Sequence, residues 1–204
     1  MKLIADMLSS VRGGRAVFSK LSFEVAGGEA LLLTGPNGSG KTTLIRTIAG
    51  LLRPAAGQVR LEGGHPEHSL GEECHYVGHL NGVKSTLSVE ENAKFWNRFL
   101  DGAHEAVETA LATFGLSALR DIPAGYLSAG QKRRLGLARV LLARRPIWLL
   151  DEPTVSLDEA SQAMVAGAVD AHVAAGGMVI AATHVPLGFG KSRELRLGGQ
   201  AMAA

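Results

Sequence analysis

The chain has 204 residues, a length one domain can fill, and its 21 Lys and Arg against 19 Asp and Glu leave no basic surplus of the kind nucleic acid demands. A single cysteine, Cys74, excludes an internal disulfide framework, and no apolar run reaches the ~20 residues that span a bilayer. The opening "MKLIADMLSSVRGG" lacks the apolar core of a secretory leader, so the chain is expected in the cytoplasm, with no direct membrane insertion.

The first thirty residues read as β structure. "AVFSKLSFEV" (16–25) alternates apolar and polar residues like a half-buried strand, and Gly27-Gly28 turns it into "EALLLTG" (29–35), the continuous apolar pattern of a buried parallel strand. After a glycine-rich stretch and a helix candidate, "GQVRLEG" (57–63) and "CHYVGHL" (74–80) read as short strands. "SVEENAKFWNRFL" and "HEAVETALATFG" carry apolar residues at helical spacing, predicting a helical insert over about 85–125, with Phe95, Trp96 and Phe99 as its core seam. Residues 131–145 predict a further helix, followed by the strand "IWLLDEP", a helix near 158–175 and the strand "MVIAATH". Strands alternating with helices predict an α/β sheet covered on both faces. His65, His68, Cys74, His75 and His79 match no zinc or haem spacing and are read as polar loop residues beside a strand, with Cys74 a small buried residue.

The chemistry starts in the glycine-rich stretch. Gly35-Pro36-Asn37-Gly38-Ser39-Gly40-Lys41-Thr42 matches G-x-x-x-x-G-K-[ST] directly after a buried strand and before a helix. Its glycines let the backbone take φ > 0 and turn N–H groups inward, a nest continuous with the positive end of the following helix, so a polyphosphate is held there. Lys41 reaches the β- and γ-phosphates in this reading, the Thr42 hydroxyl ligates Mg²⁺, and Thr43 helps cradle the phosphates. Hydrolysis asks for a metal-side carboxylate and a base at the carboxyl end of a neighbouring strand; "IWLLDEP" offers Asp151 and Glu152 for those roles. An acidic pair could merely cap the next helix, but capping leaves unexplained the polar end of "MVIAATH", where His184 is placed to bond the γ-phosphate and the attacking water.

"LSAGQ" (127–131), standing upstream of "LLDEPTVSLD" (149–158), resembles the L-S-G-G-Q signature of ABC-type ATPases, and the resemblance covers the whole chain. It implies a P-loop NTPase of ABC ATPase type in one domain over 1–204: a mixed sheet core, an N-terminal antiparallel β subdomain and an inserted helical subdomain. It implies ATP and Mg²⁺ at residues 35–43, Asp151 and Glu152 as metal and base pair, Ser156, Leu157 and Asp158 as D-loop, and His184 as switch histidine. Ser128, Ala129, Gly130 and Gln131 are implied as a signature acting in trans, so two copies sandwich two ATP molecules head to tail. Leu80 stands where the family places a metal-sensing glutamine, so either His79 or Asn81 substitutes or sensing is weakened. Arg12 stands where the family stacks an aromatic on adenine, and a guanidinium can stack there too. Most arginines of "QKRRLGLARVLLARR" (131–145) are read as a solvated helix face.

The shortness of the chain and "GHLNGVKSTLSVEENAKFW" (78–96) are similar to the ATP-binding subunits of the bacterial cytochrome c maturation transporter, the haem exporter. That resemblance implies an ATPase peripheral on the cytoplasmic face of the inner membrane, bound to a membrane-spanning subunit and energising haem delivery or export for c-type cytochromes. The alternatives are the ATPase of a different ABC transporter, a soluble ABC-type ATPase outside transport, and a nucleotide switch with negligible turnover.

Overall fold

The computed structural model describes residues 1–183, 189–190 and 192–198. The N-terminal half builds β1 (Lys2–Arg12), β2 (Arg15–Ala26) and β4 (Ala56–Glu62) into an antiparallel three-stranded sheet in the order β2-β1-β4. β1 and β2 are joined by the two-residue loop Gly13-Gly14, a sequence suited to a tight hairpin.

The second sheet has five strands, β3 (Glu29–Thr34), β5 (Cys74–Val77), β6 (Ile147–Asp151), β7 (Met178–Ala182) and β8 (Ser192–Arg196), in the order β5-β6-β7-β3-β8. Each of its ladders is parallel, so the antiparallel pairing is confined to the N-terminal sheet. β6 and β7 are buried at each position, which is why they read as unbroken apolar runs. Each of their fully buried Leu, Ile and Met side chains contributes about 1.5–3 kcal/mol. β8 is mostly exposed at the sheet edge and has no apolar run, so its sequence gives no strand signal.

Sheet order corrects one expectation. The strand carrying Asp151 and Glu152 is not adjacent to the strand that feeds the glycine loop, because β7 lies between β3 and β6. Helix α1 (Lys41–Ile48) closes the gap by packing across both β6 and β7.

Three of the described α-helices begin at side-chain caps. α2 (Val89–Phe99) and α4 (Ala129–Ala138) both start in complete capping boxes, Ser88 with Glu91 and Ser128 with Gln131. The predicted 131–145 helix therefore starts two residues earlier, and it ends sooner, passing into a 3-10 turn at Arg139–Leu141. Asp158 caps α5 (Glu159–Ala174) by accepting from Ser161 N–H at 2.9 Å. Between β5 and α4, α2 and α3 (Ala106–Thr113) bury Val89, Ala93, Val107, Ala110, Leu111 and Phe114 in a core shared with α4 and β6. The aromatic seam expected there reaches the core only through Trp96, which is half-buried against it: Phe95 and Phe99 are 44% and 71% exposed and stack on each other at the surface, each meeting Trp96 edge-on. Small residues let α2 approach its neighbours closely, and the two phenylalanine rings are left outside.

Of the histidines read as polar loop residues, His75 departs from that expectation by lying inside β5. His75 is buried and its Nε2 donates to Ala143 O at 2.7 Å; burial pushes its pKa from 6.5 down to about 4. The neighbouring Cys74 thiol is buried on the other side of the strand and pushed up to about 12. Below pH 6.5 the unfolded chain binds a proton at His75 that the folded chain refuses until about pH 4. The stability this residue contributes is therefore present above pH 6.5 and lost as pH falls towards 4, by at most about 3 kcal/mol. Denaturant midpoints measured across that range are expected to fall more steeply for the wild type than for His75→Asn; equal slopes would contradict it.

Candidate nucleotide site

The carboxyl ends of β3, β5 and β6 meet at a cleft of about 580 Å³, lined by Arg12, Val17, residues 37–43, His79, Glu152 and Val155. Clefts outside the carboxyl ends of parallel strands are where such sheets bind ligands, and this volume suits a small molecule. Its floor is the start of α1. Gly40 caps that helix in the left-handed region at φ 99°, and a Cβ there would also collide with Val17. The glycine is thus needed twice, for the turn and for the close approach of β2. The N–H groups around Lys41–Thr43 and the α1 dipole make one wall electropositive. Lys41 is buried, and its Nζ donates to Gly35 O (2.7 Å) and Pro36 O (3.2 Å), which holds the ammonium within the loop.

The opposite wall carries the acids. Thr42 Oγ1 donates to Asp151 Oδ1 at 3.1 Å, joining the glycine loop directly to the end of β6. Asp151 is 1% exposed, and its Oδ2 is buried without a hydrogen bond. A desolvated carboxylate oxygen beside a threonine hydroxyl is a hard oxygen pair, the donor chemistry that Mg²⁺ takes, so the residues fit that cation. Glu152 adopts φ 49°, rare for a residue with a side chain and costing about 1–3 kcal/mol. The turn is held by its own N–H donating to Ala182 O (2.9 Å) and by its carbonyl accepting from Arg133 Nη2 (2.7 Å). Strain held in place at the end of a strand aims a side chain that relaxed geometry would not.

The signature residues lie elsewhere. Ser128 and Ala129 are exposed at the start of α4, and Ser128 Oγ accepts from Gln131 N–H at 3.2 Å while keeping its own proton to donate. Gly130 sits against the D-loop: a Cβ there would come within 2.9 Å of Ser156 O, and Ser156 itself has φ 68°. Leu157 is buried and Asp158 is spent as the α5 cap. One chain thus brings residues 37–43, Asp151, Glu152 and Arg12 together and leaves Ser128–Gln131 and Ser156–Asp158 outside the cleft. His184 lies outside the described residues; the buried Thr183 before it donates its N–H to Leu33 O at 3.2 Å.

This arrangement has counterparts among known proteins. The ABC transporter family model matches residues 18–155. The chain is 54% identical to the cytochrome c biogenesis ATP-binding export protein CcmA of Bradyrhizobium diazoefficiens, over 98% of this chain and 100% of that one. The chain belongs to the ABC transporter family, in its cytochrome c biogenesis branch. The corresponding CcmA of Rhodopseudomonas palustris is 52% identical with the same coverage. A solved ABC transporter ATP-binding protein from Pyrococcus furiosus superposes with a TM-score of 0.84 at 27% identity, covering 97% of this chain and 98% of that one. A second solved ATP-binding subunit, 23% identical over 91% of this chain and 80% of its own, shares the fold with a TM-score of 0.81. As a member of the ABC transporter family, the chain is an ATP-binding ATPase.

The ABC transporter fold also exposes what sequence reading missed. Arg133, assigned with its neighbours to a solvated face, is 4% exposed. Nε donates to Pro153 O (3.1 Å), Nη1 to Gly78 O (2.7 Å) and Asn81 Oδ1 (3.1 Å), and Nη2 to Asp151 O (3.0 Å) and Glu152 O (2.7 Å). A guanidinium has five N–H donors, so this one is fully used in tying α4 to the turn after β6 and the loop after β5. The signal was available: Arg133, Gly136, Leu137 and Val140 share one helical face, and the other three are buried. Val17 and Val155, apolar walls of the cleft, carry no motif. A larger cavity of about 1270 Å³ opens at the amino ends of β5, β6 and β7, beside His65, His68, Trp148 and His172. None of residues 35–43, 128–131, 151–152 or 156–158 lines it.

Proposed function

We propose that this chain is the ATP-hydrolysing subunit of a membrane exporter that energises haem delivery for c-type cytochrome biogenesis, working as a head-to-tail pair of copies on the cytoplasmic face of a bacterial inner membrane. The reading takes residues 1–204 as one ABC ATPase domain with a helical insert at about 85–125. The observation that carries it is the split of the motifs: the phosphate nest and Glu152 share one cleft, with Asp151 bonded to Thr42 of that nest, while the signature stands exposed at a different helix start.

In this account the backbone N–H groups of 38–43 and the Lys41 ammonium hold the triphosphate, with Arg12 and Val17 against the base. Thr42 and Asp151 hold Mg²⁺, which when bound neutralises charge on the β- and γ-phosphates. Glu152 takes a proton as water attacks the γ-phosphorus; the bond to the β–γ bridging oxygen breaks, and ADP and phosphate leave. The second copy supplies the Ser128 hydroxyl and the α4 N-terminus to the γ-phosphate, and His184 bonds that phosphate from the first copy. Each half is inert alone. Loss of the γ-phosphate removes what joins the copies, so hydrolysis opens the interface.

Among the described residues no helix is long and apolar enough to cross a membrane. The relatives are named as export proteins, which supports a separate membrane-spanning partner. The exposed Leu80, Phe95 and Phe99 near the loop after β5 offer it a docking face.

A tagged chain expressed in a bacterium that makes c-type cytochromes is expected to co-purify a multi-spanning membrane protein, and cells whose only copy carries Glu152→Gln to lose covalent haem attachment. Recovery of the tagged chain without a membrane protein, together with normal haem staining in the mutant, would contradict the reading.

A further inference from the structure

We infer that His79 is a positioning residue of the metal side of the site, and that Leu80 has no part in it. The inference rests on the nucleotide-site reading above and deepens it. His79 follows the end of β5 and lines the cleft with Thr42 and Glu152. Its Nε2 stands 3.6 Å from Asp151 Oδ2, the buried oxygen that accepts no hydrogen bond. That separation is too long for a hydrogen bond between the two, so both atoms keep their bonding capacity for a common third group. With Thr42 Oγ1 already on Oδ1, the side of Asp151 that remains is the side His79 faces.

The imidazole is there because its loop is fixed on both flanks. Gly78 O and Asn81 Oδ1 both accept from Arg133 Nη1, so the residue before His79 and the second residue after it hang on one buried guanidinium. Asn81 also packs against α4, where a Cβ on Gly136 would meet it at 2.9 Å. Of the two candidates to replace the glutamine, Asn81 is thus committed to Arg133 and α4, and His79 alone lines the cleft. Leu80 is 86% exposed and lines no part of it. The same guanidinium donates to the carbonyls of Asp151 and Glu152, so the loop of His79 and the acids are tied to one side chain. Groups that touch a metal's ligands or its waters commonly change metal affinity about 10–100-fold when removed.

The test uses the full chain, a non-hydrolysable ATP analogue and Mn²⁺ in place of Mg²⁺, with free Mn²⁺ read by its paramagnetic resonance signal. His79→Ala is expected to weaken Mn²⁺ binding to the nucleotide-loaded protein about tenfold or more, with analogue affinity in excess chelator unchanged. His79→Gln is expected to restore most of the Mn²⁺ affinity, since an amide oxygen can serve the same water or cation, and Leu80→Gln to leave it as in the wild type. Wild-type Mn²⁺ affinity in His79→Ala, or recovery of His79→Ala by adding Leu80→Gln, would overturn the inference. Lys41→Ala separates the two levels: if it leaves analogue affinity intact, the nucleotide-site reading itself fails, whatever His79 does.

Discussion

Glu152→Gln is expected to lower kcat about 100-fold or more while ATP still binds. The amide is the same shape as the carboxylate and keeps the backbone turn, with its N–H on Ala182 O and its carbonyl on Arg133. What it lacks is a site to take the proton of the attacking water. The effect should therefore fall on kcat and leave nucleotide affinity near the wild-type value, because removing a group that acts only in the transition state lowers kcat without a matching loss of ground-state binding. Single-turnover phosphate release against nucleotide titration separates the two quantities. Turnover near the wild-type rate in Glu152→Gln would remove Glu152 from the chemistry and revive a base elsewhere.

Arg133→Met should cost both stability and turnover. Replacing the guanidinium leaves Gly78 O, Asn81 Oδ1, Asp151 O, Glu152 O and Pro153 O short of a donor in a buried region. Each buried acceptor left unmade costs about 1–3 kcal/mol, and since the five share one side chain their costs do not sum. A net loss of about 3 kcal/mol would lower Tm by about 6–12 °C in a chain of this size. Burial pulls the Arg133 pKa down, with Asp151 and Glu152 acting against it, so the group is held there by its bonds rather than by solvent. Without it, the φ 49° conformation of Glu152 loses its carbonyl anchor, and kcat should fall further than ATP affinity. Arg133→Lys cannot rescue this, because one ammonium has three donors and no fork. Calorimetry with parallel kinetics checks the prediction; a melting temperature and kcat matching the wild type would mean that the five bonds are dispensable.

The parts of the site that were legible in the sequence are those where backbone chemistry forces a residue type. Gly40 must take φ 99° against Val17, and only glycine does so cheaply. Ser128 and Gln131 announce a helix start three residues apart, and the apolar run before Asp151 announces a buried strand end. Sheet order was not legible, since period tells whether a strand is buried but not which strand lies beside it. That is how β7 came to separate β3 from β6. The faces of α2 were ambiguous for a related reason. Val89 and Ala93 form one apolar stripe and Phe95 and Phe99 another, and packing distance, not hydrophobicity, chose the smaller side chains for the interior. Arg133 shows the opposite failure: its place on one helical face with Gly136, Leu137 and Val140 signals burial, but no letter names the carbonyls from two loops that converge on it.

The account depends on two copies completing each other's sites, and one measurement bears on that directly. Light scattering of Glu152→Gln with saturating ATP and Mg²⁺ should show a dimer that reverts to monomer when nucleotide is removed and does not form with Ser128→Arg added, because that side chain would occupy the face offered to the γ-phosphate. A Glu152→Gln chain that binds ATP and stays monomeric, even with its membrane-spanning partner present, would contradict the shared-site mechanism.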